Sequence, residues 1–203
     1  MSMSSSTEPT LVLASASPRR QELISLLGLP VQIQPSRVEE DTPTQWTPIQ
    51  VVEGLALRKA QAVKDQLVLE EHPNSIVVGS DTIVVLDGDV LGKPSDDDHA
   101  FEMLRRLAGR THEVYTGVAL LSVADHKSVI SHRVTRVKMR TLTDEQLLRY
   151  VATGESMDKA GAYGIQELGS LLVDSIEGCY FNVVGLPISL LADLLVDFGV
   201  NRP

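Results

Sequence analysis

The amino-acid sequence predicts an α/β fold in which helices flank a mixed, twisted β-sheet. Short apolar runs rich in β-branched residues are typical of buried strands, and they occur among longer segments that carry helix-capping signals. Because strands and helices intermix without strict alternation, a mixed sheet is expected rather than a purely parallel one. A chain of 203 residues is long enough for one domain, or for two lobes that share a core.

The first part of the chain predicts a strand, a turn and a helix in direct succession. Residues 11–14 form an apolar run that is expected to be a buried strand. Ser17 is a suitable N-cap, Pro18 suits the first helical position, and Gly28 is a typical helix stop.

The middle of the chain predicts short strands around one long helix. Thr47 and Gln50 form a capping box that is expected to begin the helix, and Asp87-Gly88 is a tight-turn signal. The expected elements are strands at 31–34, 76–78 and 83–86, a loop at 35–46 and a helix from Thr47 to about residue 70.

The remaining residues predict further strands and helices around one irregular stretch. Residues 154–170 are rich in glycine and are expected to be irregular. The expected elements are helices at 95–107, from Thr143 and after Pro187, and strands at 114–123, 129–139 and 171–173.

Composition excludes several classes of protein. No apolar run approaches the roughly 20 residues that span a bilayer, and the polar first ten residues lack the core of an export signal. A net charge of −9 argues against nonspecific nucleic-acid binding. The single cysteine, Cys179, excludes an internal disulfide and fits a reducing compartment. We expect a cytoplasmic protein without membrane or nucleic-acid partners, with a disordered polar tail at residues 1–9 and a single domain at 10–203.

Two serines and two arginines surround the predicted start of the first helix. Arg19 and Arg20 lie in the first turn, where each cation opposes the helix dipole at a cost of a few tenths to about 1 kcal/mol. The same turn offers free backbone N–H groups that favour an anion. Together with the hydroxyls of Ser15 and Ser17, the arginines indicate phosphate binding. The alternative is two solvated surface arginines.

Asp81 interrupts an apolar stretch of the chain. A carboxylate among buried strands is costly unless it is paired, binds a metal or lies at a strand end that faces a cleft. Gly79 and Ser80 just before it suggest a bulge or a strand end. There Asp81 could bind a metal or take a proton from water. The alternative is a turn aspartate that joins two strands.

Three other charged positions have two interpretations each. Glu39 and Glu40 could supply a second carboxylate to Mg²⁺, or could belong to a solvated loop. Lys59 lies in an apolar helical stripe, from which its ammonium group either snorkels into solvent or reaches a shared pocket. Lys93 lies on a constrained loop and could equally be a surface lysine.

Residues 154–166 form the most unusual segment. Their glycines would let the backbone approach a ligand closely, with Gln166 reading the edge of a base. The alternative is an irregular connection held by Tyr163. The sequence contains no phosphate loop, no dinucleotide fingerprint and no nucleophile elbow, so covalent catalysis is not indicated.

Five sequence blocks in order resemble the Maf family of nucleotide pyrophosphatases. The blocks lie between about Leu11 and Pro187 and read LASASPRRQEL, GSDTIVVLDGDVLGKP, MLRRLAGRTHEVYTGVAL, GESMDKAGAYGIQ and NVVGLP. The resemblance implies two lobes with a central cleft, related to the inosine triphosphate pyrophosphatase type, and usually a homodimer. It also implies hydrolysis between the α and β phosphates that depends on Mg²⁺ or Mn²⁺.

The resemblance further implies roles for single residues. Asp81 matches the family's proton acceptor, and Glu40 best matches a glutamate that would bind the metal together with it. Arg19, Arg20, Lys59 and Lys93 match its cationic positions. Arg19, Thr82 and Gln166 match the subgroup that favours dTTP and UTP.

The predicted activity is therefore the hydrolysis of dTTP and UTP to the monophosphate and pyrophosphate, with modified pyrimidine nucleotides as further candidates. A 7-methyl-GTP pyrophosphatase is the first alternative. The others are a nucleotide-binding regulator of cell division without catalysis, and a nucleotidyl transferase.

Overall fold

A seven-stranded mixed sheet forms the centre of the protein in the computed structural model, which describes residues 8–202. Residues 1–7 of the predicted tail lie outside the described part. The strands are β1 Thr10–Leu13, β2 Val31–Ile33, β3 Ser75–Leu86, β4 Asp89–Leu91, β5 Thr111–Ser122, β6 Ser128–Met139 and β7 Val173–Glu177. The helices are α1 Pro18–Ser25, α2 Pro48–Lys64, α3 Asp97–Leu107, α4 Asp144–Val151, α5 Tyr180–Val184 and α6 Ile188–Leu195. Short 3₁₀ helices cover Ala160–Ala162, Glu167–Leu172 and Val196–Phe198.

The sheet combines parallel and antiparallel pairs, as predicted. Its order is β2–β1–β3–β5–β6–β7, and β4 pairs with β3 off this path. β1 runs parallel to β2 and β3, whereas every other pair is antiparallel. None of the described helices is long and apolar enough to cross a membrane.

The predicted capping signals begin the helices where expected. The Ser17 hydroxyl accepts from the Arg20 backbone N–H at 3.5 Å at the start of α1. Thr47 and Thr143 form complete capping boxes with Gln50 and Gln146. Each cap satisfies backbone N–H groups that have no partner within the helix.

β3 is one strand of 12 residues, which corrects the prediction of two strands around Asp81. Asp81 lies in the middle of the ladder, opposite Gly117 of β5, so it is neither at a strand end or bulge nor in a turn. The polar residues remain extended because β5 pairs with β3 without interruption from Ile76 to Val85.

The other edge of β3 is divided between two strands. β1 pairs with residues 75–78 and β4 with residues 84–86. Among the described residues, no strand pairs with residues 79–83 on this edge. Asp81 and Thr82 therefore lie at a fork, where the end of β1 leads away into the turn before α1.

The two faces of the sheet have different coverings. Alternate residues of β3, among them Val77, Ile83 and Val85, face α2. The opposite face carries two separate apolar clusters, one with α1 and α6 and one with α3 and α4. A band of polar side chains separates these two clusters and contains Ser80, Thr82, Thr116 and Asn182. The clusters form the two predicted lobes, and the polar band lies between them.

Several predicted boundaries are wrong at the ends of elements. α2 ends at Lys64 rather than near residue 70, because Val68 and Leu69 are exposed and no buried apolar face continues the helix. The last strand covers Val173–Glu177 instead of 171–173, since residues 167–172 form a 3₁₀ helix. α5, which lies across the polar band, was not predicted at all.

Candidate active site

A cavity of about 310 Å³ opens at the fork in the sheet. The predicted site residues that line it are Ser17, Arg19, Arg20, Glu40, Lys59, Asp81, Thr82, Lys93 and Gln166. Ser15 lies just behind the lining, where its hydroxyl accepts from the Ser17 backbone N–H at 3.2 Å and from Arg20 at 3.5 Å. Glu39, the neighbour of Glu40, does not line the cavity.

Lys59 joins the two carboxylates on one side of the cavity. Its Nζ donates to Asp81 Oδ1 and to Glu40 Oε1, each at 2.6 Å. Lys59 is 7% exposed, so its ammonium group reaches the shared pocket and does not snorkel into solvent. It reaches Asp81 because α2 lies very close to the sheet. A Cβ at Gly79 would come within 2.1 Å of the Ala56 carbonyl oxygen, and one at Gly117 within 2.2 Å of that of Val52.

The two carboxylates differ in their electrostatic environment. Burial raises the pKa of Asp81, against the opposing charges of Lys59 and Arg20. Burial acts on the half-exposed Glu40 in the same direction, but the hydrogen bond and charge of Lys59, helped by Lys93, hold its pKa below the usual value. The environment therefore makes Asp81 the stronger base of the two.

Arg20 is held on the opposite side of β3. Its guanidinium donates from Nε to the Gly185 carbonyl oxygen at 2.8 Å and from Nη2 to Thr82 Oγ1 at 3.0 Å. Ser80 donates to the same Gly185 oxygen at 3.1 Å. Gly185 has a φ of +122°, a conformation that favours glycine. The NVVGLP block of the sequence therefore fixes the position of Arg20.

Thr82 belongs to a chain of buried hydroxyl contacts. Its Oγ1 lies 3.0 Å from Thr116 Oγ1, and Thr116 also donates to the Asn182 carbonyl oxygen at 2.9 Å. The Asn182 amide in turn donates to Thr135 Oγ1 at 3.0 Å. This network links α5 to the arginine and explains the polar band between the two lobes.

Arg19 extends to the loop on the far wall of the cavity. Its Nη1 lies 3.3 Å from Asp158 Oδ2, and Asp158 also binds Lys159 Nζ at 2.7 Å. Asp158 and Lys159 both line the cavity, but they were not among the predicted site residues. Their signal was the Asp-Lys pair inside the glycine-rich segment.

The cavity is more positive than the protein around it. Five basic side chains line it, against the four carboxylates of Glu40, Asp81, Asp158 and Glu167. The chain as a whole carries a net charge of −9. An excess of cations in a concave site attracts an anionic ligand even to an acidic protein.

The rest of the cavity wall is largely apolar. It includes Val51, Leu55, Val84 and Tyr163, with Gln166 as a polar group among them. Apolar walls with a few placed polar groups are typical of sites for small organic ligands. The lining therefore combines cationic groups that suit an anion with apolar surface that suits an organic group.

The donor set also fits a hard divalent cation. Glu40 and Asp81 each place an oxygen 2.6 Å from the same lysine nitrogen, so the two carboxylates converge on one region. Mg²⁺ typically takes one or two carboxylates together with phosphate oxygens and water. Within residues 8–202 there is no group of three or more His, Cys, Asp or Glu side chains that could hold a metal ion. Two carboxylates match the number of protein carboxylates that Mg²⁺ usually takes.

Proteins of known name resemble this chain over nearly its whole length. A protein of Moorella thermoacetica named dTTP/UTP pyrophosphatase is 53% identical to this chain over 191 residues, which cover 94% of this chain and 96% of that protein. A protein of the same name from Acetivibrio thermocellus is 50% identical over 193 residues, which cover 94% of this chain and 96% of that protein. Among solved structures, the Ham1 protein of Staphylococcus aureus is similar over 64% of this chain and 71% of that chain, with a TM-score of 0.46 and 16% sequence identity. The family model described as Maf-like protein matches residues 10–198. The chain therefore belongs to the Maf-like protein family.

Proposed function

We propose that the protein hydrolyses dTTP and UTP to the nucleoside monophosphate and pyrophosphate. The observation that carries this proposal is the meeting of a buried carboxylate, Asp81, with Lys59, Arg19 and Arg20 in one cavity. Relatives about half identical to this chain are named dTTP/UTP pyrophosphatase, which supports the choice of substrate.

The cationic side chains bind and orient the triphosphate. Arg20 and Lys59 flank β3 from its two faces, while Arg19 and Lys93 reach the cavity from α1 and from the loop after β4. Phosphoryl-transfer catalysis consists mostly of positioning and charge stabilisation, so this convergence is the main contribution of the protein. When bound, Mg²⁺ or Mn²⁺ would be held by Glu40 and Asp81 and would neutralise charge on the phosphate oxygens.

Asp81 acts as the general base. Its carboxylate orients a water molecule for in-line attack on the α phosphorus and accepts the proton, while pyrophosphate departs. The hydrogen bond from Lys59 Nζ to Asp81 Oδ1 at 2.6 Å fixes the orientation of this carboxylate.

The pyrimidine preference is assigned to three positions. Gln166, which lines the cavity, reads the edge of the base. Thr82 accepts a hydrogen bond from Arg20 and therefore acts through the position of that guanidinium. Arg19, Thr82 and Gln166 together favour this activity over 7-methyl-GTP hydrolysis. A homodimer in the cytoplasm remains part of the prediction.

A panel of triphosphates tests the proposal directly. Canonical and modified nucleotides, including 7-methyl-GTP, are incubated with Mg²⁺ or Mn²⁺, and pyrophosphate and orthophosphate are measured separately. We expect pyrophosphate, with dTTP and UTP as the best substrates. Orthophosphate as the product would indicate a phosphatase, and turnover that requires an acceptor would indicate a transferase. Nucleotide binding without any hydrolysis would indicate a regulator.

A further inference from the structure

One carboxylate joins the two ends of the loop that carries Gln166. Glu155 Oε1 accepts from the backbone N–H of Leu168, and its Oε2 accepts from that of Gly169, each at 3.2 Å. Hydrogen bonds to an ionised acceptor are stronger than neutral ones. Both oxygens of a single side chain therefore hold two consecutive amides 13 and 14 residues further along the chain.

The loop is also closed by a close approach of backbone to backbone. A Cβ at Gly169 would lie 1.9 Å from the Gly164 carbonyl oxygen, so only glycine fits there. The Tyr150 hydroxyl oxygen accepts from the Gly164 backbone N–H at 3.3 Å. Gln166 thus lies on a short bend between two fixed points, at Gly164 and at Leu168.

The bend is strained next to Gln166. Glu167 has a φ of +54°, which non-glycine residues adopt rarely and at an energetic cost. Such a conformation persists only where surrounding contacts impose it. The Glu155 contacts begin at the following residue, so the side chain of Glu155 is placed to maintain the bend.

Glu155 itself does not line the cavity, whereas Gln166 does. A change at Glu155 therefore affects the substrate indirectly, through the loop that Glu155 holds. We propose that Glu155 is a positioning residue that determines base selectivity by fixing Gln166 against the base. This inference rests on the proposed function, since it requires that Gln166 contact the base.

The substitution Glu155→Gln tests the inference. The carboxamide keeps one acceptor oxygen but turns an NH₂ group toward one of the two amides, which cannot accept from it. We expect the ratio of kcat/KM for dTTP over dGTP to fall at least roughly fivefold, mainly through a higher KM for dTTP. Because both substrates are measured on one preparation, a partly unfolded sample lowers both values equally and leaves the ratio intact. Glu155→Asp, which is too short to hold both amides, is expected to change the ratio in the same direction and serves if the first variant does not fold.

Glu145→Gln is the matched control. Glu145 lies on α4 in an exposed ion pair with Arg149. The substitution removes the same charge at a position that makes no hydrogen bond to the loop. Its selectivity ratio is expected to remain that of the unmodified protein. Equal changes at positions 145 and 155 would mean that net charge, and not the loop, controls selectivity, and would overturn the inference.

A double-mutant cycle with Gln166→Ala separates this inference from the proposed function. If Glu155 acts through Gln166, adding Glu155→Gln to Gln166→Ala changes the ratio little further. Fully additive effects would overturn the inference, as would a changed ratio in Gln166→Ala together with an unchanged one in Glu155→Gln. An unchanged ratio in the single variant Gln166→Ala would contradict the proposed contact between Gln166 and the base. Release of pyrophosphate by that variant would still support the proposed hydrolase activity.

Discussion

At the scale of single residues, the site depends on charges that are buried in pairs. Lys59 and Asp81 are 7% and 6% exposed and lie 2.6 Å apart. Removing one member of such a pair leaves the other charge buried and uncompensated. A substitution that keeps the shape and the hydrogen bond of the side chain therefore tests its role in the reaction, whereas a truncation also changes the stability of the fold.

Asp81→Asn is expected nearly to abolish turnover while the fold survives. The amide has the same shape and its oxygen can still accept from Lys59, but it cannot take a proton from water. The initial rate of pyrophosphate release measures the effect, and thermal unfolding monitors the fold. Asp144→Asn, on the exposed start of α4, is the control. Retention of more than about a tenth of the original rate, a loss under about 1.4 kcal/mol of barrier, would contradict the role of Asp81 as base.

His112 makes stability depend on pH. Its Nε2 lies 2.7 Å from the Tyr163 hydroxyl, and its Nδ1 has no hydrogen-bond partner among residues 8–202. Burial lowers its pKa from 6.5 to about 4. Between these values the unfolded chain binds a proton that the folded protein does not. The free energy of unfolding therefore falls as the pH falls through this window, by about 3 kcal/mol.

In His112→Gln, the neutral amide keeps a hydrogen bond to Tyr163, and this part of the pH dependence should disappear. Urea unfolding between pH 7 and 4.5 measures it. The exposed His126, replaced in the same way, should leave the slope unchanged. The same acid slope in the His112 variant as in the unmodified protein would show that His112 does not cause it.

At the scale of elements, the packing of α2 on the sheet positions the chemistry. Gly79 and Gly117, on neighbouring strands, let the helix backbone approach within van der Waals contact, and this brings Lys59 to Asp81. Arg58, next to Lys59, donates to the carbonyl oxygens of Glu39 and Asp41 at 2.8 and 2.9 Å. The same helix therefore also holds the loop that carries Glu40.

Gly79→Ala is expected to lower both stability and activity. The new methyl group would lie 2.1 Å from the Ala56 carbonyl oxygen, so α2 must move away from the sheet. Overpacking of this kind typically costs about 1–3 kcal/mol, and the displaced helix would separate Lys59 from Asp81. Chemical denaturation and the rate of pyrophosphate release measure the two effects. Gly92→Ala, where a Cβ would meet no atom within 4 Å, should unfold like the unmodified protein. Unchanged stability in Gly79→Ala would contradict the close packing.

At the scale of the whole molecule, two lobes share one sheet and enclose a cationic cavity. Arg20 comes from the lobe of α1, whereas Lys93 follows β4 in the other lobe. A bound triphosphate would contact both lobes at once. Substrate binding should therefore stabilise the whole fold.

A non-hydrolysable dTTP analogue at 100 times its dissociation constant is expected to stabilise the protein by about 2.7 kcal/mol. In Lys93→Met the loss of one phosphate contact should weaken binding about tenfold and reduce this gain by about 1.3 kcal/mol at the same concentration. Thermal unfolding with and without the analogue gives both values. Lys138→Met, on the exposed face of β6, should behave like the unmodified protein. Equal stabilisation of the Lys93 variant would place that lysine outside the binding site.

Local features of the sequence were sufficient to predict most helices and strands and the types of residue that form the site. The caps at Ser17, Thr47 and Thr143 act within three residues of themselves, so their effect can be recognised without the fold. The same holds for the turn at Asp87-Gly88. The resemblance to the Maf family predicted which acidic and basic residues belong to one site.

Other features could not be predicted, because they depend on contacts between distant segments. Asp81 was expected at the end of a strand, and only its pairing with β5 shows that the strand continues. Whether the ammonium group of Lys59 reaches solvent or the shared pocket depends on the distance between α2 and the sheet, which the sequence does not show. The hydrogen bond between Glu155 and the Leu168 backbone joins residues 13 positions apart, and the one between Arg20 and the Gly185 carbonyl oxygen joins residues 165 positions apart.

The sequence by itself determined the α/β class, the helix starts and the set of charged groups, since each depends on neighbours within one or two turns of the chain. Tertiary structure alone decided where the sheet forks, which carboxylate is buried and how the glycine-rich loop closes. These depend on the approach of backbones that are distant in sequence, and burial sets the basicity of Asp81 only after that approach has excluded water.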